Sequence, residues 1–200
     1  TNEVNKNEGR GTKIVLEAIN ECKREKSDFH SQLAKSSGTG LNLTNLNLYR
    51  NGISDAGATC IAEAIKVNKT LTNLNLHRNR FSDASATSIA EAIKVNKTLT
   101  NLNLSDNSIS DAGAASIAEV IKVNKALNNL DLSDNRLVMR GLHLLLEAIK
   151  VNKTLTNLNL YRNRIRENLF ISRHSYIYIK TLLLLSEPLF ILQLQVNLSL

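Results

Sequence analysis

Leucine recurs along the chain in a pattern whose spacing alternates between the period of a strand and that of a helix. The spacing L-x-x-L-x-L-x-x-N returns every 28 residues without an insertion, from Leu43 to the end of its fifth copy at Asn163. Leu46 and Leu48 lie two residues apart, so on a short strand both side chains point to one face. Each copy therefore predicts one β-strand with polar residues on its opposite face.

The second half of each copy changes to helical periodicity. In the first copy, the apolar residues that fall at i, i+3, i+4 and i+7, on one face of a helix, are Ala58, Ile61, Ala62 and Ile65. Ser54 or Asp55 is predicted to cap the start of this helix. Asn68 is predicted to end it in the left-handed conformation.

Two further columns are nearly uniform from copy to copy. An Asn side chain at the end of a strand can bond to backbone groups that a tight turn leaves unpaired. Stacked at 28-residue intervals, five such residues are predicted to satisfy the backbone of successive coils: Asn51, Asn79, Asn107, Asn135 and Asn163. A column of small residues predicts a close approach between each helix start and a neighbouring coil: Gly57, Ser85, Gly113 and Gly141.

Strand, turn, helix and return together form one βα unit, and its crossover is expected to be right-handed. Adjacent strands lie about 4.8 Å apart, whereas packed helices need about 8–10 Å between their axes. The strand side must therefore be the inside of an arc. The sequence predicts an α/β fold, a right-handed βα solenoid shaped as a horseshoe, with a parallel sheet on the concave face and helices on the convex face.

The repeat also carries a resemblance to a known class of proteins. The segments that carry it are LTNLNLHRN at residues 71–79 and IAEAI at residues 89–93. They resemble the ribonuclease-inhibitor-like class of leucine-rich repeats, which includes the repeat regions of NOD-like receptors and the Ran GTPase-activating protein. The resemblance implies a module that binds a protein partner. Because one fold serves many functions, two alternatives stay open: a regulator of a small GTPase, as the Ran activator is, and a truncated, nonfunctional repeat fragment.

The chain divides into three predicted segments: 1–40, 41–167 and 168–200. The first is predicted to be a helical half-repeat followed by an insertion, because Val15, Ile19 and Cys22 continue the helical face. The second holds the 28-residue repeats. In the third, the leucine spacing reappears only at Leu189, six residues later than the period requires. That segment is either a degenerate sixth repeat or an unrelated tail.

Composition and charge narrow the function classes. Only 4% of the residues are aromatic, so the core must be built from Leu, Ile, Ala and Val, and the net charge of +7 favours acidic partners. Cys22 and Cys60 are too few for a disulfide framework and lack the CxxC spacing, which predicts an intracellular, cytoplasmic protein. Lys180, Glu187 and Pro188 interrupt the apolar C-terminal stretch, so no association with a membrane is expected.

A regular charge pattern follows each predicted helix. One row of lysines comprises Lys66, Lys94, Lys122 and Lys150, and a second comprises Lys69, Lys97, Lys125 and Lys153. Glutamates lie three residues before the first row and partly neutralise it. Two interpretations stay open: a solvated face that stabilises the helices, and a surface for an acidic partner or nucleic acid along that edge.

Function is predicted to reside on the concave face, where residues vary on a fixed leucine framework. A protein partner of unknown identity is expected to bind there. The candidate contact residues are Asn47, Tyr49, Arg50, Asn75, His77, Arg78, Asn103, Ser105, Asp106, Asp131, Ser133, Asp134, Asn159, Tyr161 and Arg162. Arginines at both ends and aspartates at the centre are expected to impose a register on the partner, with Tyr49 and Tyr161 as anchors.

Catalysis has little support in the sequence. The four histidines show no metal-ligand spacing, and no Ser/His/Asp arrangement or Gly-rich phosphate motif occurs. We therefore expect no enzyme activity, no cofactor, no metal and no small-molecule substrate. Nucleic acid is not expected as a partner, because the concave face lacks an unbroken basic path.

Overall fold

The structure, a computed structural model of the protein, describes residues 44–165. The predicted half-repeat of residues 1–40 and the segment 168–200 lie outside the described residues. Within them, strands and helices alternate in the order β1 (Asn45–Asn47), α1 (Asp55–Val67), β2 (Asn73–Asn75), α2 (Asp83–Val95), β3 (Asn101–Asn103), α3 (Asp111–Ile121), β4 (Asn129–Asp131), α4 (Met139–Val151) and β5 (Asn157–Asn159).

The strands form one parallel sheet in the sequential order β1-β2-β3-β4-β5. Each residue pairs with its equivalent one repeat later, as Leu46 does with Leu74 and Leu74 with Leu102. A shift of 28 residues per strand leaves room for one helix in each crossover, as a parallel connection requires. The predicted βα solenoid, with the sheet on its concave face, is confirmed.

The core lies between the sheet and the helices. The second strand leucine of each repeat, represented by Leu48, Leu76 and Leu104, is fully buried. The helical residues that the i, i+3, i+4, i+7 pattern selected in α1 are also buried, and Ala58 and Ile61 are at most 2% exposed. The alternation of period 2 and period 3.6 therefore identified both faces of the core.

Asn residues at the strand ends join successive coils, as predicted. Oδ1 of Asn79 accepts from the N–H groups of Asn51 and Ile53 at 3.2 and 3.0 Å. Nδ2 of Asn79 donates to the carbonyls of Leu48 and Leu76, both at 3.0 Å. One amide thus satisfies backbone groups of two repeats, which explains why no other residue type occupies this column.

At the start of α2 the Ser82 side chain caps the helix by accepting from the N–H of Ala84 at 3.2 Å, but the start of α1 differs from the prediction. The Ser54 side chain makes no capping hydrogen bond. Asp55 acts across the repeat boundary instead, because its carboxylate accepts from the backbone N–H and the hydroxyl of Ser82 at 3.0 and 2.7 Å and from the hydroxyl of Ser85. Burial raises the pKa of Asp55, but these hydrogen bonds from Ser85 and Ser82 outweigh it and lower the pKa below its usual value. A negative charge at the next helix start is also favoured by the helix dipole.

These carboxylates explain the column of small residues. A Cβ atom built on Gly113 would lie 2.7 Å from Oδ1 of Asp83 and 2.8 Å from Cγ2 of Ile109. The Gly113 N–H donates to the same Asp83 oxygen at 2.9 Å. The close approach to a neighbouring coil was therefore predicted correctly, and the neighbour is the aspartate of the preceding repeat.

The helix ends also correct a prediction. Asn68 has φ −67° and ψ 137°, an extended conformation rather than a left-handed one. Its side chain forms a turn of its own, since Oδ1 accepts from the N–H groups of Thr70 and Leu71 at 2.9 and 2.7 Å. One repeat later, Nδ2 of Asn96 donates to the carbonyls of Ile65 and Asn68 at 2.8 and 3.1 Å. The Asn after each helix therefore belongs to a second ladder between repeats.

Cys60 differs from the expectation drawn from the cysteine count. It is 7% exposed, lies within α1 and is disulfide-bonded. Cys22, the other cysteine of the chain, lies outside the described residues. The cytoplasmic location, which rested on the cysteines, stays a prediction.

Candidate functional site

The solvent-facing, concave side of the sheet forms an open groove of about 570 Å³ that is lined by all five strands. Its polar lining comes from two columns, one on each side of the buried strand leucines. The first column comprises Asn45, Asn73, Asn101, Asn129 and Asn157, and the second comprises Asn47, Asn75, Asn103, Asp131 and Asn159. The groove therefore presents carboxamides almost throughout, with one carboxylate.

The first column is a ladder of side-chain amides that the prediction of site residues left out. Nδ2 of Asn73 donates to Oδ1 of Asn45, and Nδ2 of Asn101 donates to Oδ1 of Asn73. The same bond continues to Asn129 and Asn157. The sequence did carry a signal for this ladder, because all five positions of the column are Asn. Only a row of matched amides can both donate and accept hydrogen bonds along its length.

The second column consists of predicted contact residues, and the structure gives their oxygens a local role. Each side-chain oxygen accepts from the backbone N–H two residues further on, as Asn47 does from Tyr49 at 3.0 Å and Asp131 from Ser133 at 2.9 Å. The corresponding bonds form at Asn75, Asn103 and Asn159. What the four asparagines offer to a partner is therefore the NH₂ group.

The next row crosses the carboxyl ends of the strands. Tyr49 stacks on His77 with ring centroids 5.1 Å apart and an angle of 6° between the planes. Nδ1 of His77 lies 2.8 Å from the hydroxyl oxygen of Ser105. Ser105 and Ser133 are only 4% and 7% exposed, so these two predicted contact residues contribute little surface. The aromatic side chains at the ends of this row therefore project into solvent. The serines at its centre do not, because their side chains are too short to project past the turn.

The turn residues after this row share an unusual backbone conformation. Five predicted contact residues have φ between 50° and 55°: Arg50, Arg78, Asp106, Asp134 and Arg162. Left-handed backbone costs an ordinary L-residue about 1–2 kcal/mol, and Asp tolerates it better because its short side chain bonds locally. The two aspartates suit this position, whereas the three arginines do not.

The charges of these turn residues pair with one another. Nε of Arg78 lies 3.5 Å from a carboxylate oxygen of Asp106, and a guanidinium nitrogen of Arg162 lies 4.0 Å from one of Asp134. All four side chains are 40% exposed or more, so each pair is screened by water. Neighbouring turns of opposite charge therefore face each other across one strand spacing. The expected register that this charge pattern would impose on a partner stays a prediction.

Residues 44–165 bear on metal and membrane chemistry in two ways. No group of three or more His, Cys, Asp or Glu side chains there is placed to hold a metal ion. In the same residues, no helix has the length and hydrophobicity that crossing a bilayer requires.

Comparisons with known proteins agree with the repeat architecture. A family model described as "Leucine Rich repeat" matches residues 41–62, 67–90 and 95–118. The structure titled "Leiomodin-1 Actin-Binding Site 2 (ABS2)" is similar with a TM-score of 0.61 and 24% identity, covering 78% of this chain and 88% of that one. The tropomodulin C-terminal domain of Caenorhabditis elegans is similar with a TM-score of 0.58 and 18% identity, covering 84% of this chain and 90% of that one.

A search of curated proteins finds no matching sequence. The resemblance to NOD-like receptor repeats and to the Ran GTPase-activating protein stays a prediction. The 28-residue period, the parallel sheet of sequential strands and the matching family model together show the leucine-rich-repeat fold in residues 44–165.

Proposed function

We propose that this repeat array binds a protein partner, without catalysis of its own, through the groove and the row of turn residues beside it. The observation that carries the proposal is the left-handed backbone of Arg50, Arg78 and Arg162. Backbone strain of this kind collects at functional sites. An arginine that costs stability at a turn is expected to contribute elsewhere, for example by binding a partner. We call the row that contains Tyr49 and Tyr161, together with the adjacent row of turn residues that contains these arginines, the rim of the groove.

The chemistry of the rim supports a protein as the ligand. Tyr49 is 42% exposed, and the guanidinium of Arg162 lies 5.4 Å from the centre of the Tyr161 ring. Tyr and Arg dominate the energetics of protein interfaces. Tyr49 and Tyr161 are four strand spacings apart, about 19 Å. A partner surface that reaches both ends would span the whole groove and meet the amide NH₂ groups between them.

Actin is the first partner to test. The similar leiomodin-1 structure is titled as an actin-binding site, and at 24% identity this likeness concerns the fold alone. Co-sedimentation with filamentous actin and native gel shifts with monomeric actin would measure binding by the full chain. Retention of the protein by actin would support actin as the partner, and its absence from both assays would remove actin from the proposal.

The role of the rim can be separated from folding by replacing an arginine with glycine. Arg162→Gly removes the guanidinium and relieves the left-handed backbone, so the variant is expected to be at least as stable as the parent chain. Weaker partner binding by a stabilised variant cannot be attributed to unfolding. Arg136→Ala is the matched control, because Arg136 is exposed and is absent from the residues with positive φ. Equal loss of affinity in both variants would contradict the proposal.

A further inference from the structure

A row of exposed valines lies on the opposite edge of the solenoid from the rim. Val67, Val95, Val123 and Val151 are 49%, 55%, 56% and 59% exposed. They lie at or just past the end of each helix, before the chain returns to the sheet. The other large hydrophobic side chain exposed within residues 44–165 is Tyr49. One valine per repeat therefore produces an apolar line that crosses four helices.

Lysines border this line on both sides. In the row that precedes the valines, Lys66, Lys122 and Lys150 each contact a glutamate three residues earlier, with Nζ and Oε1 2.5 Å apart. In the row that follows, the lysines are exposed and form no ion pair with a described carboxylate: Lys69, Lys97, Lys125 and Lys153. We call the four valines and these four lysines the valine–lysine stripe.

The chemistry of the stripe restricts its partner. A purely solvated face would not need an apolar residue exposed in every repeat, and an apolar partner would leave the lysines without counter-charges. Nucleic acid would satisfy the lysines but gives the valines nothing apolar to contact. Among residues 44–165, arginine and aromatic residues are absent from this edge. The matching surface is apolar along its centre and acidic at its borders.

The spacing favours a helix over an extended peptide. Packed helices lie about 8–10 Å apart, close to the rise of two α-helical turns, about 10.8 Å. A partner helix crossing the stripe would present one apolar residue of each heptad to each valine. The three spacings between the four valines together correspond to about 16–20 residues of the partner helix. In an extended strand every third residue covers a similar distance, but successive contacts would then fall on alternate faces.

We propose that the valine–lysine stripe is a docking site for an amphipathic α-helix of a partner protein, with acidic residues on both sides of its apolar face. This mode of recognition places helix anchors in a row on an apolar surface. Segments 1–43 and 166–200 of the chain contain at least as many basic as acidic residues, so charge complementarity favours a separate protein. The stripe and the groove lie at different ends of the strands, so this site is independent of the proposed concave-face binding.

A designed peptide tests the proposal. The probe is a fluorescent, lactam-bridged helix of 21 residues with leucines on one face and glutamates on both sides of it, titrated with the full chain by anisotropy. A peptide of the same composition, scrambled so that no apolar face forms, is the specificity control. We expect the first peptide to bind and the second to bind at least tenfold more weakly.

Two double variants identify the surface. Val95→Gln with Val123→Gln removes apolar contact, and Lys97→Gln with Lys125→Gln removes charge; each is expected to weaken binding about tenfold. All four positions are exposed, so folding is expected to be retained. Arg80→Gln with Arg136→Gln removes the same charge on the opposite edge and should leave affinity unchanged.

Three results would overturn the proposal. These are no binding of the helical peptide, equal binding of the scrambled peptide, and an unchanged affinity in the valine variant. Binding to phosphatidylserine vesicles that the helical peptide does not displace would assign the stripe to a membrane surface instead.

Discussion

Replacing Asn135 with alanine tests whether the asparagine ladder holds the repeats together. Asn135 is 5% exposed, and its Oδ1 accepts from the N–H of Ile109 at 3.0 Å. Its Nδ2 donates to the carbonyls of Leu104, Leu132 and Ser133 at 3.0, 3.2 and 3.1 Å. The bond to Ile109 and the bond to Leu104 cross to the preceding repeat, so the substitution severs contacts within and between repeats.

The expected cost follows from which backbone groups keep a partner. The carbonyl of Leu104 still accepts from Asn107 at 3.0 Å, and that of Leu132 still accepts from Asn163 at 2.8 Å. The N–H of Ile109, a residue that is fully buried, loses its acceptor. A buried unsatisfied N–H costs about 1–3 kcal/mol, and each lost bond with a surviving alternative costs about 0.5 kcal/mol. The carbonyl of Ser133 still accepts from the N–H of Asp106 at 3.0 Å. We expect Asn135→Ala to lower the free energy of unfolding by about 2.5–4.5 kcal/mol.

Asn51→Ala is the matched control, since Asn51 holds the same place in the first described repeat. Its side chain is exposed and donates one hydrogen bond, to the carbonyl of Tyr49 at 3.1 Å. The expected loss is therefore about 0.5–1 kcal/mol. Urea unfolding followed by circular dichroism measures both variants, and native-state hydrogen exchange reports the Ile109 amide directly. Equal losses at Asn135 and Asn51, or unaltered exchange at Ile109, would refute the reasoning.

Three further predictions concern the helix starts and the turns. Gly113→Ala should cost about 1–3 kcal/mol, because the new Cβ would meet Oδ1 of Asp83 at 2.7 Å; a urea midpoint equal to that of the exposed Ala112→Ser control would contradict this. Asp55 has a lowered pKa, so its contribution is fully present above the unfolded pKa of about 3.9 and is lost as the pH falls through the lower folded pKa. The parent chain should lose more stability than Asp55→Asn between pH 5 and pH 2.5, and parallel pH profiles would show that the carboxylate has no such role. Arg50→Gly should raise the free energy of unfolding by about 0.5–1 kcal/mol through relief of its φ of 54°, and a lowered thermal midpoint would count against strain at that turn.

The fold was predictable because its signals are periodic. Leucines two apart located the strands, and residues such as Ala58 and Ile61 at helical spacing located the buried helix faces. The details at the helix ends were not predictable in the same way. Ser54 and Asp55 fit a local cap by residue type, yet Asp55 bonds to the next repeat, because the 28-residue stacking brings a second helix start within its reach. A local motif does not reveal a partner 27 residues away.

The candidate surface was predicted in outline, and its errors have a physical origin. Variation among repeats selected the turn residues, but it could not distinguish exposed from buried positions. Ser105 and Ser133 are buried because a short side chain at that place bonds to its own turn. The pairing of Arg78 with Asp106 depends on neighbouring turns sharing one left-handed conformation, which a sequence pattern does not reveal.

In this solenoid, different sets of side chains stabilise the array and are proposed to bind a partner. Hydrogen bonds of the asparagine ladders run along the array, from each repeat to the next, as those of Asn79 and Asn96 do. The variable rim side chains project from turns that these ladders already hold, so the hydrogen bonds of the ladders remain when a rim side chain is replaced. The exception is the left-handed position, where an arginine costs stability. Arg50 and Arg162 therefore link the two roles: exchange for glycine would strengthen the array while removing the charges with which the rim is proposed to bind.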